Sequence, residues 1–371
     1  PGDRAGLLSW FRAFRATLAS SAAIDYLPCF RTARAQALSH IPALLRQGKH
    51  SSGVIMRKLA LLFPGQGSQE SGMGRALAEA SSEAMDLWKK AERISGLPLR
   101  EIYWEGDDAA MADTRALQPA LTVVNLTCWQ SIAPHVTPDG AAGHSLGEYS
   151  ALAAAGAISA EEALEMTALR GRLMAEADPD GKGAMAALLK LDRTVVEDIV
   201  RQAAGEGGDT LIIANYNTPA QLVVSGDKAA VERAMTLARE RKGRAIALKV
   251  SGAFHSPLMA EAAEELLPTL RKATWRRPRI PVYCNVSGRA VTDGESLREC
   301  MLRQMTSSVL WIDTIANQWR DGLRAWLEMG PKPVLTKMVR PCLDAVPVPA
   351  DADIKALHAD GPEAFRKLMQ I

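Results

Sequence analysis

One pentapeptide, Gly143-His144-Ser145-Leu146-Gly147, constrains the fold of this chain more than any other feature. A short apolar stretch, 140–142, precedes it, and an Ala-rich helix is predicted over Tyr149–Ala155. A serine between glycines at a strand-to-helix junction is typical of a nucleophile elbow, whose strained turn lifts the hydroxyl out of a sheet. The motif predicts that Ser145 is a nucleophile and that the N–H of Leu146 faces a developing oxyanion. The alternative is a tight turn with an incidental serine, because the bare pattern also occurs by chance.

A serine hydroxyl needs a base to become a nucleophile. His144 is adjacent to Ser145, so in an elbow its ring would point elsewhere. His255 follows a predicted strand, and loops at strand ends are where catalytic groups gather in α/β sheets. The other histidines lie in polar or N-terminal sequence: His40, His50, His135 and His358. Elimination therefore predicts His255 as the base; the alternative is a histidine of a surface loop or the core.

The pattern of strands and helices in the rest of the chain predicts two subdomains. Residues 183–251 read as strand, helix, strand, strand, helix, strand, which is the ferredoxin-like split βαβ unit. The second and third strands, Leu211–Ala214 and Gln221–Ser225, are expected to be joined by a loop over 215–219. The fourth strand is predicted over Ala245–Val250. The fold class is therefore α/β, with a small α+β subdomain inserted into a larger one.

The expected boundaries follow from this pattern: a large subdomain in two parts, 56–182 and 252–371, and a small subdomain over 183–251. Residues 1–55 hold seven basic and two acidic side chains, a composition that is typical of targeting segments. They also resemble an expression tag or translated upstream sequence. Beyond residue 55 the chain has 37 basic and 40 acidic side chains. This near-balance argues against a nucleic-acid partner, which requires a concentrated basic surface.

Composition excludes several classes of protein. The chain of 371 residues is 47% hydrophobic and 23% charged, which excludes a disordered chain. No apolar run reaches the roughly 20 residues of a membrane span. The five cysteines form no CxxC pair: Cys29, Cys128, Cys284, Cys300 and Cys342. We therefore expect free thiols in a reducing compartment and no metal site.

An α/β-hydrolase is the nearest rival interpretation of the serine motif. Those enzymes place the histidine near the end of the chain. Here 116 residues follow His255, and the predicted small subdomain separates it from Ser145. Both features argue against a standard hydrolase.

Seven ordered motifs, from about Met56 to at least Val346, make the chain resemble the malonyl-CoA:acyl carrier protein transacylase family, which includes the acyltransferase domains of fatty acid and polyketide synthases. The motifs are Phe63-Pro64-Gly65-Gln66-Gly67-Ser68-Gln69, Gly143-His144-Ser145-Leu146-Gly147-Glu148, Arg170-Gly171, Gly183-Ala184-Met185, Asn217-Thr218-Pro219-Ala220-Gln221, Phe254-His255-Ser256-Pro257 and Glu328-Met329-Gly330-Pro331. The family fold is a hydrolase-like large subdomain with a ferredoxin-like small one.

The resemblance implies a role for each motif. Ser145 would be the acyl nucleophile and His255 the general acid and base. The N–H groups of Gln66 and Leu146 would form the oxyanion hole. A backbone carbonyl would orient the base in place of an Asp; the matching position is taken as Leu310, where some relatives carry a Gln, so a departure from them is expected.

Arg170 is predicted to bind the acyl group. Its helix neighbours, Met166, Thr167, Leu173 and Met174, are mostly apolar. A buried guanidinium there needs an anionic partner, and its planar fork suits a carboxylate. The resemblance implies that this partner is the malonyl carboxylate; the alternative is an internal Asp or Glu.

Three further residues are implied as substrate-binding. Phe254 resembles the bulky aromatic of malonyl-selective relatives. Asn217 and Gln221 would face the cleft and contact the pantetheine arm, although both also suit a turn.

The implied activity is transfer of a malonyl group from malonyl-CoA to the phosphopantetheine thiol of acyl carrier protein, for fatty acid synthesis. No bound cofactor or metal is expected, and the partners would be malonyl-CoA and acyl carrier protein. We expect a monomer in the cytoplasm, or in an organelle if residues 1–55 are a targeting segment. Two alternatives remain: an acyltransferase of a polyketide or polyunsaturated fatty acid pathway, and a thioester hydrolase that uses the same Ser–His pair.

Overall fold

The computed structural model describes residues 46–50, 53–205, 208–361 and 363–364. Most of the predicted N-terminal extension, residues 1–55, therefore lies outside the described residues. All of these residues belong to a single compact unit. Among the described residues, no helix is both long and apolar enough to cross a membrane.

Two sheets organise the described residues, apart from a hairpin at their start. The strands are β1 (Arg46–His50), β2 (Gly53–Met56), β3 (Lys58–Phe63), β4 (Gly140–Gly143), β5 (Gly183–Leu189), β6 (Leu211–Thr218), β7 (Gln221–Asp227), β8 (Arg244–Ala247), β9 (Val282–Tyr283), β10 (Ala290–Val291), β11 (Leu323–Met329) and β12 (Lys355–Ala359).

Thirteen α-helices are present among those residues. They are α1 (Arg75–Ala80), α2 (Ser82–Ser95), α3 (Leu99–Trp104), α4 (Asp108–Ala112), α5 (Thr114–Ile132), α6 (Gly147–Ala154), α7 (Ala160–Glu176), α8 (Arg193–Ala204), α9 (Lys228–Glu240), α10 (Ala260–Lys272), α11 (Gly294–Gln304), α12 (Trp311–Arg320) and α13 (Thr336–Leu343).

The large sheet has the order β10-β9-β4-β3-β11-β12, and every pairing except β10 with β9 is parallel. Five consecutive residues of β3, Leu59 to Phe63, are completely buried, as expected for a central parallel strand covered on both faces. Because the strands are parallel, their carboxyl ends meet at one edge of the sheet. The elbow after β4 lies at this edge.

The small sheet has the order β6-β7-β5-β8 and is antiparallel throughout. Apolar side chains of α8 and α9 pack on one face of it, around Val196, Ile199 and Val231. This is the predicted ferredoxin-like arrangement, so the fold class is confirmed. Its strands and helices span 183–247, within the range expected for the small subdomain.

Two details of the small sheet differ from the prediction. The loop expected over 215–219 is wrong: β6 continues to Thr218, and only Pro219 and Ala220 form the turn. Its extra residues are stabilised from outside the small sheet, because the N–H of Tyr216 donates to the carbonyl of Val309. The fourth strand is shorter than predicted, since the ladder with β5 ends at Ala247.

The helix that carries Arg170 begins at a capping box, which the spacing of Ser159 and Glu162 in the sequence predicts. Ser159 caps α7, accepting from the N–H of Glu162 at 3.1 Å, and the Glu162 carboxylate accepts from the N–H of Ser159 at 2.7 Å. This reciprocal capping box fixes the start of the helix. The mostly apolar face of α7 then packs along α5, which places Arg170 in the interior beside the elbow.

Candidate active site

The turn after β4 is a nucleophile elbow. Ser145 has a φ of 51°, in the left-handed region that costs a non-glycine residue about 1–3 kcal/mol. The flanking glycines are required by close backbone approach. A Cβ on Gly147 would lie 1.9 Å from the carbonyl oxygen of Phe63, and one on Gly143 would lie 2.0 Å from the carbonyl oxygen of Gly147. The predicted elbow is therefore confirmed in its geometry.

The ring of His255 faces the serine. Its Nε2 lies 2.6 Å from Ser145 Oγ, and the residue is only 3% exposed. Its Nδ1 lies 3.1 Å from the carbonyl oxygen of Gln304 and 3.0 Å from that of Ser307. Carbonyl oxygens only accept, so Nδ1 carries the proton and Nε2 is free to accept the serine proton.

The assignment of Leu310 as the base-orienting residue is wrong. Its carbonyl accepts from the N–H and hydroxyl of Thr314, at 2.9 and 3.0 Å, because Leu310 caps α12. Gln304 is the last residue of α11, where helix carbonyls lack partners within the helix and can accept from a side chain. The expected departure from relatives with a Gln is also wrong, since the residue in this place is a Gln.

Burial governs the protonation of the base. Desolvation by burial, together with the positive charge of Arg170 and the neighbouring His144, lowers the pKa of the His255 ring to about 3. The imidazole is therefore neutral, and able to accept a proton, throughout the neutral pH range.

Arg170 is 1% exposed and lies against the same hydroxyl. Its Nη2 donates to Ser145 Oγ at 3.1 Å and to Gln304 Oε1 at 3.3 Å, and its Nη1 donates to Gln118 Oε1 at 2.8 Å. Its Nε has no partner among the described residues. No ion pair joins it to a carboxylate there, so the alternative of an internal salt bridge is not supported in that part of the chain. Burial lowers the pKa of this guanidinium.

Gln66 and Leu146 flank the elbow. A Cβ on Gly65 would lie 2.5 Å from the carbonyl oxygen of His144 and 3.6 Å from the nitrogen of Leu146, so the loop that carries Gln66 packs on the elbow backbone. The Gln66 side chain accepts from the Thr114 hydroxyl at 3.3 Å. Leu146 is the N-cap of α6, so its N–H precedes the helical hydrogen-bond ladder. These positions suit two oxyanion donors.

The other residues singled out from the sequence lie at different distances from the Ser–His pair. His144 points away from Ser145, as expected: its Nε2 lies 2.8 Å from Asn217 Oδ1. Asn217 therefore lies beside the elbow, but in strand β6 and not in a loop. Gln221 is half-buried at the start of β7, just after the turn. Phe254 is buried immediately before the base.

Three buried side chains that the sequence did not single out as site residues complete the network: Gln304, Asn285 and Gln118. The Gln304 amide donates from Nε2 to the carbonyl of Ser145 at 2.8 Å and to Glu148 Oε2 at 3.0 Å. Burial raises the pKa of the Glu148 carboxyl to about 7. The signal that could have found two of them is their place in the fold. Gln304 is the last residue of a helix, and Asn285 follows a strand at the same edge of the large sheet as the elbow.

Within the described ranges, no group of His, Cys, Asp or Glu side chains is arranged to hold a metal ion.

The fold and the site define a class: an α/β enzyme with a Ser–His pair on a nucleophile elbow and an inserted ferredoxin-like subdomain. The sequence model of the acyl transferase domain family matches residues 60–370. The chain belongs to this family.

Similar proteins carry more specific names. A malonyl CoA-acyl carrier protein transacylase from Haemophilus influenzae is 38% identical over 310 residues, which is 82% of this chain and 99% of the relative. The structure of an acyl carrier protein S-malonyltransferase from Vibrio cholerae is 34% identical, with a TM-score of 0.77, over 84% of this chain and 99% of its own. A malonyl-transacylase solved in complex with a type II polyketide synthase acyl carrier protein is 32% identical, with a TM-score of 0.78, over 84% of this chain and 99% of its own.

We predict that the His255 ring stays neutral to well below pH 5. Its pKa in the folded protein, about 3, lies below the ordinary value of 6.5, so the unfolded chain binds the extra proton first. This residue therefore favours unfolding as pH falls below about 6.5. An NMR titration of the ring signals, assigned with His255→Ala, measures this value. A midpoint near 6.5 would contradict it.

Proposed function

We propose that this chain transfers the malonyl group of malonyl-CoA to the phosphopantetheine thiol of acyl carrier protein through a malonyl-serine intermediate. The observation that carries the proposal is the position of Ser145 Oγ, 2.6 Å from a neutral base and 3.1 Å from a buried guanidinium. The same hydroxyl thus has a proton acceptor and a cation beside the acyl group that it would receive. The relatives' names, malonyl CoA-acyl carrier protein transacylase, support this substrate pair.

The first half-reaction acylates the enzyme. Ser145 Oγ attacks the thioester carbonyl carbon while His255 Nε2 takes the hydroxyl proton. The oxyanion accepts hydrogen bonds from the N–H groups of Gln66 and Leu146. As the C–S bond breaks, His255 returns the proton to the CoA sulfur, and the malonyl group remains on the serine.

The second half-reaction reverses these roles. The carrier thiol gives its proton to His255 Nε2, and its sulfur attacks the acyl-serine carbonyl. The same two N–H groups hold the oxyanion. When the C–O bond breaks, the proton passes to Ser145 Oγ, which restores the enzyme. The two half-reactions consume only the two substrates.

His255→Ala should slow acylation at least ~10²-fold, because the serine then has no general base. The measurement is the rate at which the malonyl adduct forms from malonyl-CoA, and a near-normal rate would assign the base to another residue.

Arg170 selects the acyl group. Its three polar contacts are to neutral side chains, Gln118, Gln304 and Ser145, and its Nε is unpartnered in the described part of the chain. A malonyl carboxylate would supply the missing negative charge, whereas an acetyl group would leave a buried cation uncompensated.

The remaining assignments complete the substrate site. Phe254, buried beside the base, limits the room at the acyl α-carbon. Asn217 and Gln221 lie on the hairpin of the small sheet, and we assign them to the pantetheine arm. The enzyme would supply extender units for fatty acid synthesis in the cytoplasm, or in an organelle if the N-terminal segment is a targeting sequence.

Ser145→Ala should abolish the covalent intermediate, since no other hydroxyl occupies the elbow. Wild-type protein incubated with malonyl-CoA should gain one malonyl group by intact-mass measurement, and peptide mapping should locate it on Ser145. Omitting carrier protein tests the hydrolase alternative, because a transferase should then accumulate the adduct and release little malonate. An adduct that persists in the variant, or that maps to a cysteine, would contradict the assignment of Ser145 as the nucleophile.

Arg170→Ala should lower kcat/KM for malonyl-CoA by about 10- to 100-fold, the range expected for losing a charged hydrogen bond. Acetyl-CoA should be affected less, or used better. Arg172→Ala is the matched control: it lies on the same helix but is exposed and paired with Glu176. A malonyl preference that survives in Arg170→Ala would show that the carboxylate is bound elsewhere.

Phe254→Ser should narrow the preference for malonyl-CoA over methylmalonyl-CoA. A ring against the acyl α-carbon penalises a branch methyl by ~1–3 kcal/mol, which corresponds to roughly 5- to 200-fold. The measurement is the ratio of kcat/KM for the two thioesters in both proteins. An unchanged ratio would remove Phe254 from the acyl pocket.

A further inference from the structure

Asn285 lies at the catalytic edge of the large sheet, two residues after β9, and is 1% exposed. No step of the proposed mechanism uses it. It nonetheless makes more direct contacts with the elbow backbone than the base does.

The side-chain amide of Asn285 bridges the two peptide groups on either side of His144. Its Oδ1 accepts from the N–H of Ser145 at 2.7 Å, and its Nδ2 donates to the carbonyl of Gly143 at 2.7 Å. The backbone pairing of β4 with β9 ends at Ala142 and Tyr283. The amide thus supplies the next pair of hydrogen bonds at the point where β4 bends into the turn and backbone pairing with β9 has ended.

The backbone of Asn285 is anchored in turn. Its N–H donates to Glu148 Oε1 at 3.0 Å, and its carbonyl accepts from the N–H of Leu310 at 2.9 Å. All four polar groups of the residue are therefore in use, and they connect the elbow to the starts of α6 and α12. A side chain held in this way has little freedom to follow a moving elbow.

We propose that Asn285 is a positioning residue that holds Ser145 in its strained left-handed conformation and so aims the Ser145 hydroxyl at His255 Nε2. It also occupies the Ser145 N–H, which leaves the neighbouring N–H of Leu146 as the elbow's oxyanion donor. The proposal rests on the nucleophilic role proposed for Ser145.

This role predicts an effect on rate and not on substrate affinity. Asn285 contacts the elbow backbone, whereas Arg170 contacts the acyl group. Misplacing a reacting atom by about 1 Å costs about 10²-fold in rate. Asn285→Ala should therefore lower kcat for acylation by about 10²-fold and leave KM for malonyl-CoA within about 3-fold.

Asn317→Ala is the matched control. Asn317 also donates from Nδ2 to a backbone carbonyl, that of Gly288 at 2.8 Å, and accepts at Oδ1 from Arg320 at 2.8 Å, but neither hydrogen bond involves a residue of the elbow. It should lower the melting temperature while leaving kcat near the wild-type value.

Asn285→Asp gives a readout that a purely structural role would not move. A protonated Asp can donate to the Gly143 carbonyl as the amide does, whereas an ionised Asp cannot. Burial and the facing carboxyl of Glu148 should raise the pKa of the new carboxyl. The acylation rate of the variant relative to wild type should therefore rise as pH falls.

The ratio to wild type at each pH removes contributions from groups that both proteins share. These are Glu148 and Cys284, which adjoin Asn285, and Arg170 and His255, which lie beyond Ser145. If Asn285→Ala does not fold, the pH dependence of Asn285→Asp still tests the proposal.

Two assays separate the possible failures: malonyl adduct formation from malonyl-CoA, and labelling by a fluorophosphonate, which reports an activated serine without any thioester substrate. Slow labelling and slow acylation in both Asn285 variants, with recovery of Asn285→Asp in acid, support the proposal. Wild-type rates in either variant, or an Asp profile parallel to wild type, overturn it. A wild-type protein that labels with the phosphonate but forms no malonyl adduct contradicts the proposed function and leaves the Asn285 comparison valid.

Discussion

A buried guanidinium without a carboxylate partner in the described part of the chain is the constraint on which the rest of this site depends. Arg170 is 1% exposed, and the groups that accept its hydrogen bonds are two amides and a hydroxyl. An unpaired buried cation is costly, and in the proposed function the malonyl carboxylate of the substrate offsets that cost. The face of the Tyr149 ring, 5.7 Å from the guanidinium carbon, gives additional electrostatic support.

The way in which the base is oriented is consistent with this constraint. A carboxylate behind His255 would place a negative charge close to Arg170 and would compete with the malonyl carboxylate that we propose binds there. The end of α11 and the turn after it instead present two neutral carbonyls, those of Gln304 and Ser307, to Nδ1. These fix the tautomer without a net charge. The side-chain amide of Gln304 also stands between Arg170 and Glu148, since it accepts from one and donates to the other.

The sequence predicted the parts of this structure that depend on local chemistry. The elbow, the capping box of α7 and the ferredoxin-like order of strands follow from glycine positions, a Ser–Glu spacing and hydrophobic periodicity. The pairing of Ser145 with His255 needed only elimination among six histidines.

The failures share a physical cause, because they concern backbone groups brought together from distant segments. Any residue offers a carbonyl, so nothing in the side chains distinguished Leu310 from Gln304 as the partner of His255. The extension of β6 over 215–218 depends on pairing with Val309, nearly 100 residues away. Asn285 was missed for the same reason: its partners are the backbone of Gly143 and Ser145, which side-chain patterns do not reveal.

The central claim is that the uncompensated charge of Arg170 selects the substrate, and Gln118→Glu tests it most directly. Gln118 Oε1 accepts from Arg170 Nη1 at 2.8 Å, and Glu has nearly the same shape, so the variant places a carboxylate on the guanidinium without emptying the site. The measurement is kcat/KM for malonyl-CoA and acetyl-CoA in both proteins. We expect the ratio of malonyl to acetyl to fall at least about 10-fold, because the internal carboxylate takes the place of the ligand's. A folded variant that retains the wild-type ratio would contradict the account.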